Sequence, residues 1–430
     1  MSSVQVPVRE TRQEVADGTD RAGGRKELWL LAVGVLLIGA NLRPGVVAIS
    51  PELAAIRADT GLSGSAAGLL TTLPILCFGL LAPLAARLAR RVGRDRALGA
   101  MMALLTLGIV IRMVPGPVTL FTGTIVLSTA LALANVLVPS VIKHHFDGRV
   151  SLMMGLYSVA LFSGAALAAG VTVPLGEALG LGWRGAVGLW ALFSALAFAL
   201  WLPRMRADGA GAVRDPAVQD EADTAPAPVA SAGRRGLRHS RLAWQVTLFM
   251  GLQSLVYYAC VAWIPAVLTS EGAGDSEAGL LLSLMNLLGI AGSLAFTALV
   301  HRSRTQVPFA VAGSALFTVA LLGLAVAPVA GAYLWMLLMG LGSGLLISTA
   351  LAVIVLRSPD SARAAEMSGM AQGFGYLLAA AGPFLVGVLH DATGRWSLPL
   401  LLLAALCVPM TLFGIAAGRD RRLDDHSATR

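Results

Sequence analysis

The chain has 430 residues, of which 56% are hydrophobic and 13% charged, with a formal net charge of +8. Soluble globules carry about 25% charged residues, so the composition excludes one, and the apolar residues come in blocks near the ~20 that a bilayer-crossing helix needs. The positive charge does not mark a nucleic-acid binder, because it sits in particular loops and no basic-aromatic cluster accompanies it.

Residues 1–27 are polar and charged, carry no cleavable signal and are expected to form a disordered cytoplasmic tail. Twelve spans are expected at about 28–50, 64–88, 97–114, 118–141, 151–176, 183–202, 243–267, 277–300, 307–328, 331–356, 366–390 and 397–417. The first holds Asn41-Leu42-Arg43-Pro44-Gly45. Arg43 lies far from either end, where a charge costs roughly 2.5–3.5 kcal/mol on insertion scales. It should face protein or a wet cavity. Pro44 removes a backbone donor and should kink the helix there.

Loops after even-numbered spans are basic: Arg87, Arg90, Arg91, Arg94 and Arg96 after span 2, Lys143 and Arg149 after span 4, Arg302 and Arg304 after span 8, and Arg357 and Arg363 after span 10. The opposite loops are poor in cations. This asymmetry predicts a multi-pass protein of the inner (plasma) membrane with both termini in the cytoplasm. Residues 203–242 are rich in Ala, Pro, Asp and Arg and read as a cytoplasmic linker. They divide an N-terminal six-helix bundle, 28–202, from a C-terminal one, 243–417, with a cytoplasmic tail at 418–430. The halves echo each other: Ser65 and Ser276, and Gly68 and Gly279, stand 211 positions apart, and Gly155 and Gly369 stand 214 apart. Repeats of this kind imply a duplicated unit, hence two bundles around a central cavity.

At this point the chain resembles the major facilitator superfamily over about residues 28–417. The run Ala86-Arg87-Leu88-Ala89-Arg90-Arg91-Val92-Gly93-Arg94-Asp95-Arg96 matches the family's loop between spans 2 and 3 at Arg91, Gly93 and Arg94, with Arg90 in place of the motif's acid and Ala86 in place of its first glycine. The resemblance implies a gating role for Arg91, Gly93 and Arg94. Asn41-Leu42-Arg43-Pro44, Pro74 and Gly182-Trp183-Arg184 look like the cyanate permease branch, which also contains nitroimidazole transporters. The implied fold is an all-α membrane protein of twelve transmembrane helices in two pseudo-symmetric six-helix bundles.

No Asp or Glu lies mid-span; Glu52, Glu177 and Glu366 sit at span ends. The deep charge is positive, which favours an anionic solute, because a planar guanidinium holds a carboxylate-like group by two bonds. The competing reading is that Arg43 only bonds carbonyls freed by Pro44. Further candidates in the family's cavity-lining spans are Asn41, Asn135, Tyr157, Gln253, Tyr257, Asn286, Gln372 and Tyr376. Amides and phenols donate hydrogen bonds without adding charge. Asn41 points about 200° around the helix from Arg43, toward a neighbouring helix. Arg112, beside Val114-Pro115, is expected to snorkel to the outer headgroups, His144 and His145 to sit in solvent or at headgroups, and Asp391 to cap a helix.

Cys77, Cys260 and Cys407 lie singly in apolar blocks and read as packing residues, so neither a disulfide nor a metal site is expected. No phosphate-cradling loop ends in Lys-Ser or Lys-Thr, so no nucleotide or other cofactor is expected. No paired acids or nucleophile cluster points to an enzyme. The sequence reading is a monomeric, alternating-access carrier of a small anion, with or without a coupled proton; export of a neutral heterocycle is the alternative.

Overall fold

The computed structural model describes residues 28–146, 150–210, 237–359, 361–421 and 423. The expected N-terminal tail, residues 211–236 of the expected linker, Arg149 and residues 424–430 lie outside the described residues.

Among the described residues, twelve helices are long and apolar enough to cross a membrane. Span 1 covers Leu28–Val47, and spans 2 to 12 belong to the helices Gly64–Val92, Arg94–Met113, Pro117–His145, Val150–Ala178, Trp183–Ala210, Arg241–Ser270, Asp275–Leu299, Val307–Val326, Ala332–Leu356, Ser361–Thr393 and Ser397–Gly418. Span 6 runs to Ala210, well into the stretch read as linker. The extension places Arg204 Nε 3.4 Å from Asp95 Oδ2 at the start of span 3, and Trp201 Nε1 donates to Asp95 O at 2.9 Å. His145 Nε2, at the end of span 4, lies 3.7 Å from the same carboxylate oxygen. His145 is therefore held inside the bundle end rather than in solvent. Gly93 joins spans 2 and 3 with φ +90°, a conformation that favours glycine. Arg91 is exposed and Arg94 half-buried beside it.

At Pro44, span 1 goes beyond a kink to a full break. Its helix ends at residue 41, resumes as Pro44–Val47, and gives way to turns before the short helix Leu53–Thr60. Pro44 cannot donate to Ala40 O, and span 5 packs over that carbonyl: a Cβ added at Gly164 would collide with Ala40 O. Just past the break, Gly45 O accepts from Arg112 Nη1 at 3.0 Å. Arg112 thus does not snorkel. It is only 2% exposed, and its Nε and Nη2 both donate to Thr124 Oγ1 at 3.2 Å. A carbonyl left without its helical partner drew the guanidinium inward, which the adjacent Val114-Pro115 could not reveal.

The duplication is visible in the packing. A Cβ at Gly68 would lie 2.7 Å from Pro383 O of span 11, and one at Gly279 would collide with Ala169 O of span 5. The two echoed glycines are thus the points where spans 2 and 8 cross the opposite bundle. At this end, away from the chain termini and called here the far face, the bundles are tied twice. Asp391 of span 11 accepts from Gly64 N at 2.8 Å and Ser65 N at 2.7 Å, capping span 2 from the other bundle. Ser276 Oγ, at the start of span 8, donates to Glu177 Oε2 of span 5 at 3.0 Å.

At the terminal face the same helices part. Along span 5, positions 155, 162 and 169 recur every seven residues on one face, as do 369, 376 and 383 along span 11. Phe162 and Ala169 touch span 8, and Pro383 touches span 2, yet Gly155 and Gly369 have nothing within 4 Å of an added Cβ. The apolar core follows suit. Far-face residues of the first half, such as Ile49, Leu53, Ala67 and Leu70, are continuous with the core of the second half around Trp263 and Phe317. Residues nearer the terminal face, such as Leu31, Leu98 and Trp201, form a separate cluster.

Candidate functional site

Arg43 stands at the break in span 1, where the two bundles meet. The break in span 1 turns its side chain across the gap, where Nη1 donates to Tyr258 OH of span 7 at 2.8 Å. The guanidinium carbon stands 6.0 Å from the Tyr258 ring centroid, at the outer reach of a cation–π contact. Tyr157, Tyr257 and Tyr376 complete its electrostatic surroundings. No acidic side chain pairs with Arg43 among the described residues. Arg43 as a residue is half-buried.

The phenols form a connected wall. Ring centroids of Tyr257 and Tyr258 lie 5.3 Å apart, Tyr258 and Tyr376 6.5 Å, and Phe78 and Tyr376 5.8 Å. Two phenols are oriented by amides, one in each half. Tyr157 OH donates to Asn135 Oδ1 at 3.2 Å, and Tyr257 OH donates to Asn286 Oδ1 at 2.9 Å. Asn286 is itself fixed by donating to Leu282 O at 2.9 Å. The Tyr157 ring packs against Gly39, where a Cβ would come within 2.8 Å of Cδ2, so a glycine one turn before Arg43 makes room for the ring.

Of the residues expected from sequence, Arg43, Tyr157, Tyr257 and Tyr376 come together, with Asn135 and Asn286 behind two of the phenols. Gln372 is half-buried on span 11 and donates to Ser368 Oγ at 2.6 Å. Gln253 is buried and turned to its own helix, donating to Ser254 Oγ at 2.7 Å and Met250 O at 3.2 Å. Asn41 donates to Leu37 O of its own helix at 2.9 Å rather than to a neighbour. Tyr258 stands beside Tyr257 among the polar and aromatic residues of span 7, but sequence reasoning did not place it in the site. The Tyr-Tyr pair was the available signal, but adjacent residues point about 100° apart on a helix, and only the crossing of span 1 selects one.

Among the described residues, no three His, Cys, Asp or Glu side chains are grouped to hold a metal. A separate far-face pocket of about 730 Å³, lined by Arg57, Trp263, His390 and Trp396, does not include Arg43.

The chain is similar to known membrane transporters over most of its length. The sequence profile described as Major Facilitator Superfamily matches residues 28–365. The chain is 41% identical over 400 residues to the 2-nitroimidazole transporter of Escherichia coli (strain K12), covering 93% of this chain and 98% of that protein. It is 29% identical over 376 residues to the cyanate transport protein CynX of the same organism, covering 87% and 93%. Among solved structures, a D-xylose-proton symporter superposes with a TM-score of 0.69 at 15% identity, covering 90% of this chain and 97% of that one.

Proposed function

This chain belongs to the Major Facilitator Superfamily and is a multi-pass membrane transporter of a small solute rather than an enzyme; from that premise we propose that the solute is a small planar anion, carried by alternating access and held at its negative end by Arg43. The observation that carries this reading is the state of the guanidinium. It lies mid-span on a half-buried residue, has no acidic partner among the described residues, and donates a bond to the Tyr258 phenol. A charge kept that way is an expensive arrangement with an obvious use. The remaining N–H groups of the fork can take a carboxylate, cyanate or similar group side-on. The phenols of spans 5, 7 and 11 supply flat faces and O–H donors around it.

Alternating access is supported by the two ends of the interface: the far face is tied and the terminal face is apart, the form of a carrier open to one side. The basic loops support a cytoplasmic terminal face with both chain ends there, and on that reading this state opens inward. The carrier sits in the inner (plasma) membrane and works as a monomer, each chain holding a complete site. The six-helix units 28–202 and 243–417 are its moving parts, and Arg91, Gly93 and Arg94 form a hinge loop at the open face.

A second reading, a neutral nitroheterocycle as cargo, is favoured by the tyrosine wall and by the relative named for 2-nitroimidazole. Uptake of labelled cyanate and of labelled 2-nitroimidazole into proteoliposomes, with wild type and Arg43→Gln side by side, separates the two. The anion reading requires anion flux to collapse in Arg43→Gln. Loss of neither flux removes Arg43 from the site.

A further inference from the structure

The two ties at the far face occupy matching places in the repeat, yet their charges differ. At the tie between spans 2 and 11, Asp391 receives two backbone N–H groups, and Arg57 lies 3.9 Å from it. At the tie between spans 5 and 8, Glu177 receives only the Ser276 hydroxyl. Beside that tie lies Glu52, at the end of the turns that follow span 1. Its neighbour Pro51 sits where span 8 crosses span 5, with Cβ 3.6 Å from a Cβ placed at Gly279. Glu52 is 9% exposed, and its carboxyl group has no hydrogen-bond or ion-pair partner among the described residues. The charged groups that act on it are Asp275 from span 8 and Glu177 from span 5, both acidic. The nearby cations are engaged elsewhere: Arg57 with Asp391 and Leu62 O, Arg184 with Asp59 at 2.7 Å.

We infer that Glu52 is a proton site built by closure of the far face: sealing spans 5 and 8 buries its carboxyl between two carboxylates and draws a proton onto it from the far-side solution. Glu177 and Asp275 remain exposed, so that solution reaches the cluster. Burial, and then the charges of Asp275 and Glu177, push the Glu52 carboxyl up to about 7 in the sealed state. When the helices part, water returns and the group reverts toward the ordinary carboxylate range near 4.3. The sign follows from linkage. The sealed state binds the extra proton, so sealing is fully favoured below the ordinary carboxylate value, weakens as pH rises toward about 7, and levels off above it. Acid on the far side therefore holds this carrier in the state that faces the other way, whatever Arg43 binds.

The test places spin labels at the far ends of spans 5 and 8, by Leu179→Cys and Gly274→Cys, in full-length protein in lipid nanodiscs on a Cys77→Ser background. The inter-label distance is read from about pH 5 to about pH 9, which brackets both carboxylate values. Wild type should lose sealed population at least about tenfold across this range. Glu52→Gln should stay sealed throughout without a midpoint, and Glu52→Asp should keep one. The double variant Glu177→Gln/Asp275→Asn, altered only at exposed positions, should keep a midpoint moved toward the ordinary carboxylate value, and it carries the test if Glu52→Gln does not fold. A wild type indifferent to pH, a Glu52→Gln variant with the wild-type midpoint, or a double variant whose midpoint stays put would each overturn the inference.

Discussion

Arg43 and Arg112 flank the same break in span 1 and have opposite fates. Arg112 is fully enclosed, and all three of its guanidinium nitrogens are engaged, one on Gly45 O and two on Thr124 Oγ1. Arg43 is half-buried, and its one hydrogen bond among the described residues goes to a phenol of the other bundle. The difference bears on what a deep charge is for. A break made by Pro44 exposes carbonyls, and something must answer them. Because Arg112 answers Gly45 O, Arg43 is released from that duty.

Four substitutions break or sharpen this contrast. Arg112→Leu should have the largest effect, about 2–4 kcal/mol of stability, since it strands Gly45 O and Thr124 and leaves a void. It should appear as a lower unfolding temperature in detergent, with solute affinity in the surviving folded fraction near wild type. Arg43→Gln should reverse the pattern, with unfolding temperature near wild type and anion transport down about 100-fold, or about 2.7 kcal/mol. If both variants lost stability alike and neither lost transport selectively, the distinction between the two arginines would be void. Tyr258→Phe removes one hydrogen bond to a charged donor and should change anion affinity by roughly threefold to tenfold, measured by calorimetric titration. Thr124→Val should cost about 1 kcal/mol, visible only in the unfolding temperature.

Much of this was legible in the chain itself. Block lengths gave the twelve spans, Pro44 marked where the first is interrupted, and Gly68 with Gly279 gave the repeat, because each of these is a local demand that one stretch of residues states alone. Arg112 was not legible. Its position near a span end suited an interface arginine, and its partners come from residues 45 and 124, which only folding brings together. Asn41 and Gln253 read as candidates because they are hydrogen-bond donors in the family's cavity-lining spans, yet both turned to carbonyls or hydroxyls of their own helices. The acid that the loop motif lacks at Arg90 has no replacement there, while Asp95, five residues on, ties spans 3 and 6 from within one bundle.

The Arg43–Tyr258 bond links residues 215 positions apart, close to the spacing that separates the echoed pairs. The two side chains thus stand at about the same level of the same helix in each copy. Had the copies remained identical, two guanidiniums would have confronted each other across the axis and repelled. A homodimeric ancestor could not have owned a solitary cation there. Only a chain whose two halves differ can set a single charge opposite a phenol, so the asymmetry of this contact depends on the two units being one chain.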